Sequence, residues 1–191
     1  MKQSIDIFSN MMNHSGKSLV SADMLDWLIE KGFFVQAAST KYHGCHEGGL
    51  FQHSMAVTEQ LVKYTDALGL KWTRPESPWI VGMFHDLCKI DNYNMVVDEE
   101  GISYFGLDEL EGRTVHFEHN NDTILKGHGE KSILLLSQFM TLTEEEILCI
   151  RFHMGAYERA DWESFDGAIK KYETVLWTHT ADMYASKVSS L

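Results

Sequence analysis

Six residues combine side chains suited to metal and proton chemistry with apolar surroundings. His53 follows Gly-Gly-Leu-Phe-Gln and precedes Met55-Ala56-Val57, and His85-Asp86 sits inside Val81-Gly-Met-Phe-His-Asp-Leu-Cys. His128 opens Gly127-His-Gly-Glu-Lys-Ser, His153 closes Ile147-Leu-Cys-Ile-Arg-Phe-His, and Asp182 follows His179-Thr-Ala. A carboxylate in such a stretch is costly to bury unless it is paired or binds a metal. Imidazole and carboxylate together suit a divalent ion of the Mn, Fe, Co, Ni or Zn type, with Mg also admitted. Taken singly, each histidine reads more readily as a hydrogen-bonded core residue. Taken together, three or more such residues on separate core helices can converge on one point.

The elements that must position them are mostly helical. Short helices are expected over 4–13 and 21–31, the second capped by Ser21. A loop over 39–50 leads to a helix over 51–68 carrying His53. Pro75 and Pro78 introduce a helix over 78–90 that carries His85 and Asp86. Residues 92–97 and 102–105 flank the turn Asp98-Glu99-Glu100-Gly101 as a small hairpin, and 113–118 add a third strand. Helices resume at 129, with Leu134, Leu135 and Phe139 on one face. Thr143-Glu144-Glu145-Glu146 reads as a capping box opening a helix to about 153, and a last helix covers about 172–188. The expectation is a mostly α, single-domain chain with its core over about 43–188 and a β insertion at about 92–120.

The ordered pattern resembles the HD-domain superfamily of metal-dependent phosphohydrolases, in a bacterial and phage-associated branch, over His43 to Asp182. His43-Gly-Cys-His-Glu-Gly-Gly-Leu-Phe-Gln-His53 resembles the family's HxxxxGGLxxH motif. Gly82-Met-Phe-His-Asp-Leu-Cys-Lys89 resembles its HDxxK core, with Cys88 where Gly is frequent. Gly127-His-Gly-Glu-Lys-Ser132, Arg151-Phe-His-Met-Gly155 and His179-Thr-Ala-Asp-Met-Tyr-Ala-Ser186 complete the series. The resemblance implies a helical HD-domain bundle in which His53, His85, Asp86 and Asp182 hold one metal. It assigns His128 and His153 to a second metal, with Asp86 bridging, and leaves open whether one or two ions bind. It also places His43 near the active site.

A metal held by His and Asp supplies hydroxide from water near neutral pH, and a second ion can clamp the phosphoryl oxygens. The catalytic candidates are therefore Asp86 and Lys89. Lys89 lies one turn beyond His85 by i,i+4 spacing, and the resemblance makes it the first phosphate-contact candidate, with Lys131 and His43 as further substrate-binding candidates. Arg151 points elsewhere on its helix, and Glu130 and Glu173 read as surface acids. Tyr93, Tyr104, Phe105, His116, Phe117 and His119 in the insertion either stack on a base or pack the hairpin onto the helices.

The function expected is hydrolysis of a phosphate ester or anhydride in a nucleotide-type substrate. The alternatives are a phosphodiesterase or 3′–5′ nuclease on single-stranded or cyclic nucleotides, and a non-catalytic HD-type binding module. Composition ranks these. With 16 Lys and Arg against 28 Asp and Glu, the net charge is −12. That excess disfavours long nucleic acid, whose binding depends on Lys and Arg, and an anionic membrane surface. A small phosphorylated substrate is the expected partner, and self-association is left open. The 3 cysteines form no CxxC pair, and the first residues hold no apolar run of signal length. A cytoplasmic chain with reduced thiols is expected.

Overall fold

The structure, a computed structural model, describes residues 1–41, 44–98, 108–110, 113–125, 127–156 and 161–188. Eight α-helices are found among them: α1 (Lys2–Met11), α2 (Ala22–Glu30), α3 (Gly49–Leu68), α4 (Ser77–Phe84), α5 (Gly129–Leu136), α6 (Glu144–Arg151), α7 (Trp162–Lys171) and α8 (Thr174–Lys187). Two small antiparallel sheets accompany them. One pairs β1 (Asn13–His14) with β2 (Lys17–Ser18); the other sets β3 (Tyr93–Asp98), β4 (Asp108–Leu110) and β5 (Arg113–His119) in the order β3-β5-β4. The fold is thus mostly α with small β pieces. No helix among the described residues is long and apolar enough to cross a membrane.

Local sequence explains several boundaries. The Ser21 hydroxyl accepts the Met24 N–H at 3.2 Å, which opens α2. Pro78 lies in the first turn of α4, where its missing N–H costs nothing. The capping box of α6 is complete: Thr143 Oγ1 accepts from Glu146 N–H, and the Glu146 carboxylate accepts from Thr143 N–H.

Glu145 and Glu146 reach beyond their own helix. Both are buried. The Glu146 carboxylate accepts from Arg74 Nε at 2.7 Å and Ser77 Oγ at 2.8 Å, at the start of α4. Glu145 accepts from Thr73 N–H at 2.6 Å and Thr174 Oγ1 at 2.5 Å, at the start of α8.

The core gathers around Phe8, whose ring meets Phe33, Phe34, Phe51 and Phe84 at centroid distances of 5.4 to 6.3 Å, all of them edge-on. Phe51 is two residues before His53, and Phe84 immediately precedes His85. Burying these rings therefore fixes how α3 and α4 are rotated about their axes. The two helices approach closely because Gly82 has no side chain: a Cβ there would lie 2.5 Å from Thr58 Cα. Gly82→Ala should cost about 2 kcal/mol through overpacking, read as a lower urea midpoint.

The structure departs from the sequence expectations at several places. The helix expected over 78–90 ends at Phe84, and a separate 3₁₀ turn covers Leu87–Ile90. The described partner of β3 is β5, in register from Tyr93↔His119 to Asp98↔Thr114, and residues 102–105 lie outside the described set. Leu134 is exposed while Leu136 is fully buried, so the inner face of α5 is rotated from the one expected. The third helix starts at Gly49 rather than 51. Finally, α7 was not anticipated: it is largely exposed and buries only Phe165 and Ala168.

Candidate metal centre

Each of the six residues arrives from a different local structure. His53 lies one turn into α3, His85 directly follows α4, and Asp86 precedes the 3₁₀ turn. His128 precedes α5, His153 follows α6, and Asp182 lies in α8. The Gly48-Gly49 pair lets the preceding loop close against the start of α3. Gly48 adopts φ +79°, and a Cβ on Gly49 would collide with the Gly44 carbonyl oxygen. His43 lies outside the described residues.

Their side chains meet in the core. His53, His85, Asp86, His153 and Asp182 are all buried, and the His128 side chain is 45 % exposed. His53 Nε2 is 3.0 Å from Asp182 Oδ1, 3.2 Å from His85 Nε2 and 3.6 Å from Asp86 Oδ2. His85 Nε2 is 3.5 Å from Asp86 Oδ2 and 3.8 Å from Asp182 Oδ1. On the other side of Asp86, its Oδ1 lies 3.3 Å from His153 Nε2 and 3.9 Å from His128 Nδ1. Two donors bound about 2.0–2.2 Å from a shared ion stand about 2.8–3.6 Å apart, for bond angles from right-angled to tetrahedral. The closest pairs fall in that range.

The imidazoles are oriented for this. His85 Nδ1 donates to the Gly82 carbonyl at 2.8 Å, and His153 Nδ1 donates to the Ile150 carbonyl at 2.7 Å. A carbonyl only accepts, so each Nδ1 carries the proton and each Nε2 turns toward the carboxylates. His179 Nδ1 braces the next residue pair by bonding the His153 carbonyl at 2.7 Å. Asp86 Oδ1 and His153 Nε2 are buried without a hydrogen bond of acceptable geometry. Buried polar atoms left this way need an explanation, and a bound cation would satisfy both.

Electrostatics agree with that fit. Burial pushes the His85 imidazole down to about 4, so it is neutral at pH 7. Burial would raise the Asp86 carboxyl, but the Lys89 ammonium at 2.6 Å and the neighbouring imidazoles hold it well below the usual range. Asp182 is likewise lowered, by the His53 contact and nearby imidazoles working against burial. Burial opposes the charge on His153, yet the Asp86 carboxylate raises it. Two carboxylates thus face one buried ammonium, leaving negative charge that a divalent ion would neutralise.

The His85 shift predicts a pH effect on the metal-free protein. Its folded value lies below its ordinary 6.5, so the unfolded chain binds more protons between these values. The His85 contribution is present above pH 6.5 and is lost as pH falls toward 4. His85→Gln cannot titrate. Its stability deficit relative to wild type should therefore shrink by on the order of 2 kcal/mol between pH 7 and 4.5, in urea melts with chelator present.

Lys89 keeps its expected place but for a different reason. The helix does not continue from His85, and the 3₁₀ turn carries the ammonium back onto Asp86. Lys131 does not join the site. Its buried ammonium pairs with Asp91 and donates to Asn92 Oδ1 and Thr123 Oγ1, each at 2.8 Å. It ties α5 to the start of β3. Lys131→Met should lower stability by about 1–2 kcal/mol and leave KM within about twofold, by denaturant titration and steady-state kinetics. Arg151, 33 % exposed at its side chain, pairs with Glu130 at 3.1 Å.

Two clefts meet at this centre. One, of about 350 Å³, is bordered by Asp86, Lys89, Tyr93, His128, Asp182 and Lys187; the other, of about 370 Å³, runs past His128 and Met154 toward Arg151. These volumes lie in the range of small-molecule sites. Tyr93 and Phe117 are buried with Ala37 and Val115, which matches the packing role for the insertion's aromatics. Tyr104 and Phe105 lie outside the described residues.

Sequence reasoning missed Ser186, whose hydroxyl donates to Asp182 Oδ1 at 3.3 Å; its i,i+4 spacing on α8 was the available signal. It also missed Lys187 as a cleft wall, whereas Tyr93, weighed above for stacking on a base, borders the same cleft. Compared with protein-family models, curated proteins and solved structures, the chain has no match.

Proposed function

We propose that this chain is a single-domain, HD-type metal-dependent phosphohydrolase that cleaves a phosphate ester or anhydride in a nucleotide-type substrate. The observation that carries this reading is the convergence of His53, His85, Asp86 and Asp182 at metal-donor separations, beside a buried lysine and an open cleft. His153 and His128 extend the donor set on the far side of Asp86. A divalent ion held there would lower the pKa of water toward neutrality and offset charge on phosphoryl oxygens.

The chain's own residues do the rest. Asp86 offers one carboxylate oxygen to each side of the centre. The Lys89 ammonium keeps N–H donors beyond its bond to Asp86 and can present them to the phosphoryl oxygens from the cleft wall. Tyr93 and Lys187 border the remaining space for the rest of the substrate. The net charge of −12 favours a small substrate over a polyanionic strand.

The test is a panel of nucleotides, cyclic nucleotides and single-stranded oligonucleotides with Mn²⁺-loaded protein, scored for phosphate, pyrophosphate or nucleoside release. Turnover of small nucleotides supports the reading. Silence across the panel, or cleavage of oligonucleotides alone, overturns it.

A further inference from the structure

Cys88 stands beside the donors and takes no part in the chemistry above. Its side chain is fully buried, and its Sγ lies 3.7 Å from His128 Nδ1. That nitrogen is 3.9 Å from Asp86 Oδ1, and the three atoms fall within 4.8 Å of one another. The backbone around Cys88 is held in place, since its N–H donates to Ser132 Oγ on α5 at 3.0 Å. A second observation points to a ligand at the same spot. Asp86 Oδ1 and His153 Nε2, 3.3 Å apart, are buried atoms that face each other without making a hydrogen bond of acceptable geometry, on residues only 2 % and 0 % exposed.

We propose that Cys88 supplies a thiolate to a second ion held with Asp86 Oδ1, His128 Nδ1 and His153 Nε2. The proposal rests on the metal reading above and adds a sulfur donor to it. Zn–S bonds of about 2.3 Å and Zn–N bonds of about 2.0–2.1 Å set tetrahedral S···N separations near 3.6 Å, close to the 3.7 Å found between Cys88 and His128. One sulfur, two imidazoles and one carboxylate form a four-donor set that zinc or cobalt accepts. Coordination replaces the Sγ–H bond by a sulfur–metal bond, and the proton leaves to water. A soft donor shifts preference from Mn²⁺ and Mg²⁺ toward Zn²⁺ and Co²⁺ at this position, while the all-His/Asp side keeps its tolerance of harder ions.

The experiment loads metal-free protein with Co²⁺ alone and reads metal content together with the near-ultraviolet sulfur-to-cobalt charge-transfer band. More than one Co²⁺ per chain and a clear band are expected. Cys88→Ala should remove the band and weaken the second ion by at least about tenfold, whereas Cys45→Ala should keep both. X-ray absorption of Zn²⁺-loaded wild type adds a reading that needs no variant: a sulfur neighbour at about 2.3 Å. Metal bound without the band or the sulfur neighbour overturns the thiolate and leaves the His/Asp centre standing. No metal bound at all overturns both.

Discussion

Asp86→Ala should abolish hydrolysis and strip the protein of bound metal. Asp86 is the residue on which both halves of the cluster depend, with Oδ2 toward His53 and His85 and Oδ1 toward His153 and His128. Loss of a residue behind a metal ligand already costs about 10–100-fold, so loss of this carboxylate should lower activity by more than about 100-fold. It also strands the Lys89 ammonium, whose partner sits 2.6 Å away in a buried pair. Breaking such a pair costs about 3–5 kcal/mol. Asp86→Asn keeps the volume and provides the folded comparison for elemental analysis. Lys89→Met should separate the roles, losing turnover while retaining metal. A full metal complement in the Asp86 variants would refute the centre as drawn.

Removing the metal from the wild-type protein should lower its melting temperature substantially. An ion that binds the folded state at a hundred times its Kd adds about 2.7 kcal/mol, and a chain of this size gains about 2–4 °C per kcal/mol. Chelation should therefore lower Tm by about 5–10 °C, and Mn²⁺ or Zn²⁺ should restore it. The expected shift exceeds that of a surface cation because the donors are buried and carry excess negative charge in the metal-free state. Scanning calorimetry with and without chelator measures it, and an unchanged Tm would count against a buried ion.

The members of the buried cluster were legible in the sequence because polar residues in apolar runs must be paired or bound, a rule that does not depend on knowing the fold. Caps were legible for a similarly local reason, as Ser21 and Thr143 show. What the sequence hid was set by tertiary contacts. Nothing in the apolar run from Val81 to Ile90 marks the break at His85, which arises where Asp86 and Lys89 must face the same point. Lys131 lies three residues after His128 and looked aimed at the cleft, but Asp91 and Asn92, distant in sequence, claim it. The helix α7 did carry a legible stripe, Trp162, Phe165 and Ile169 at i, i+3 and i+7, although it buries only Phe165 and Ala168 fully. The inner face of α5 shifted from Leu134 to Leu136 because its packing partners, not its own periodicity, decide the rotation.

The buried pair Glu145 and Glu146 has a consequence for how the molecule opens. These carboxylates clasp the starts of α4 and α8 to the start of α6, at the ends away from His85 and His153. Releasing any one of the three helices would leave a buried carboxylate short of at least one donor, so partial release is penalised. Their slowest amides should therefore exchange with solvent as one cooperative unit, even in the metal-free protein, while the exposed α7 exchanges earlier. The candidate donors His85, His153 and Asp182, at or beside these three helices, would then be delivered together during refolding, already in register before any ion binds.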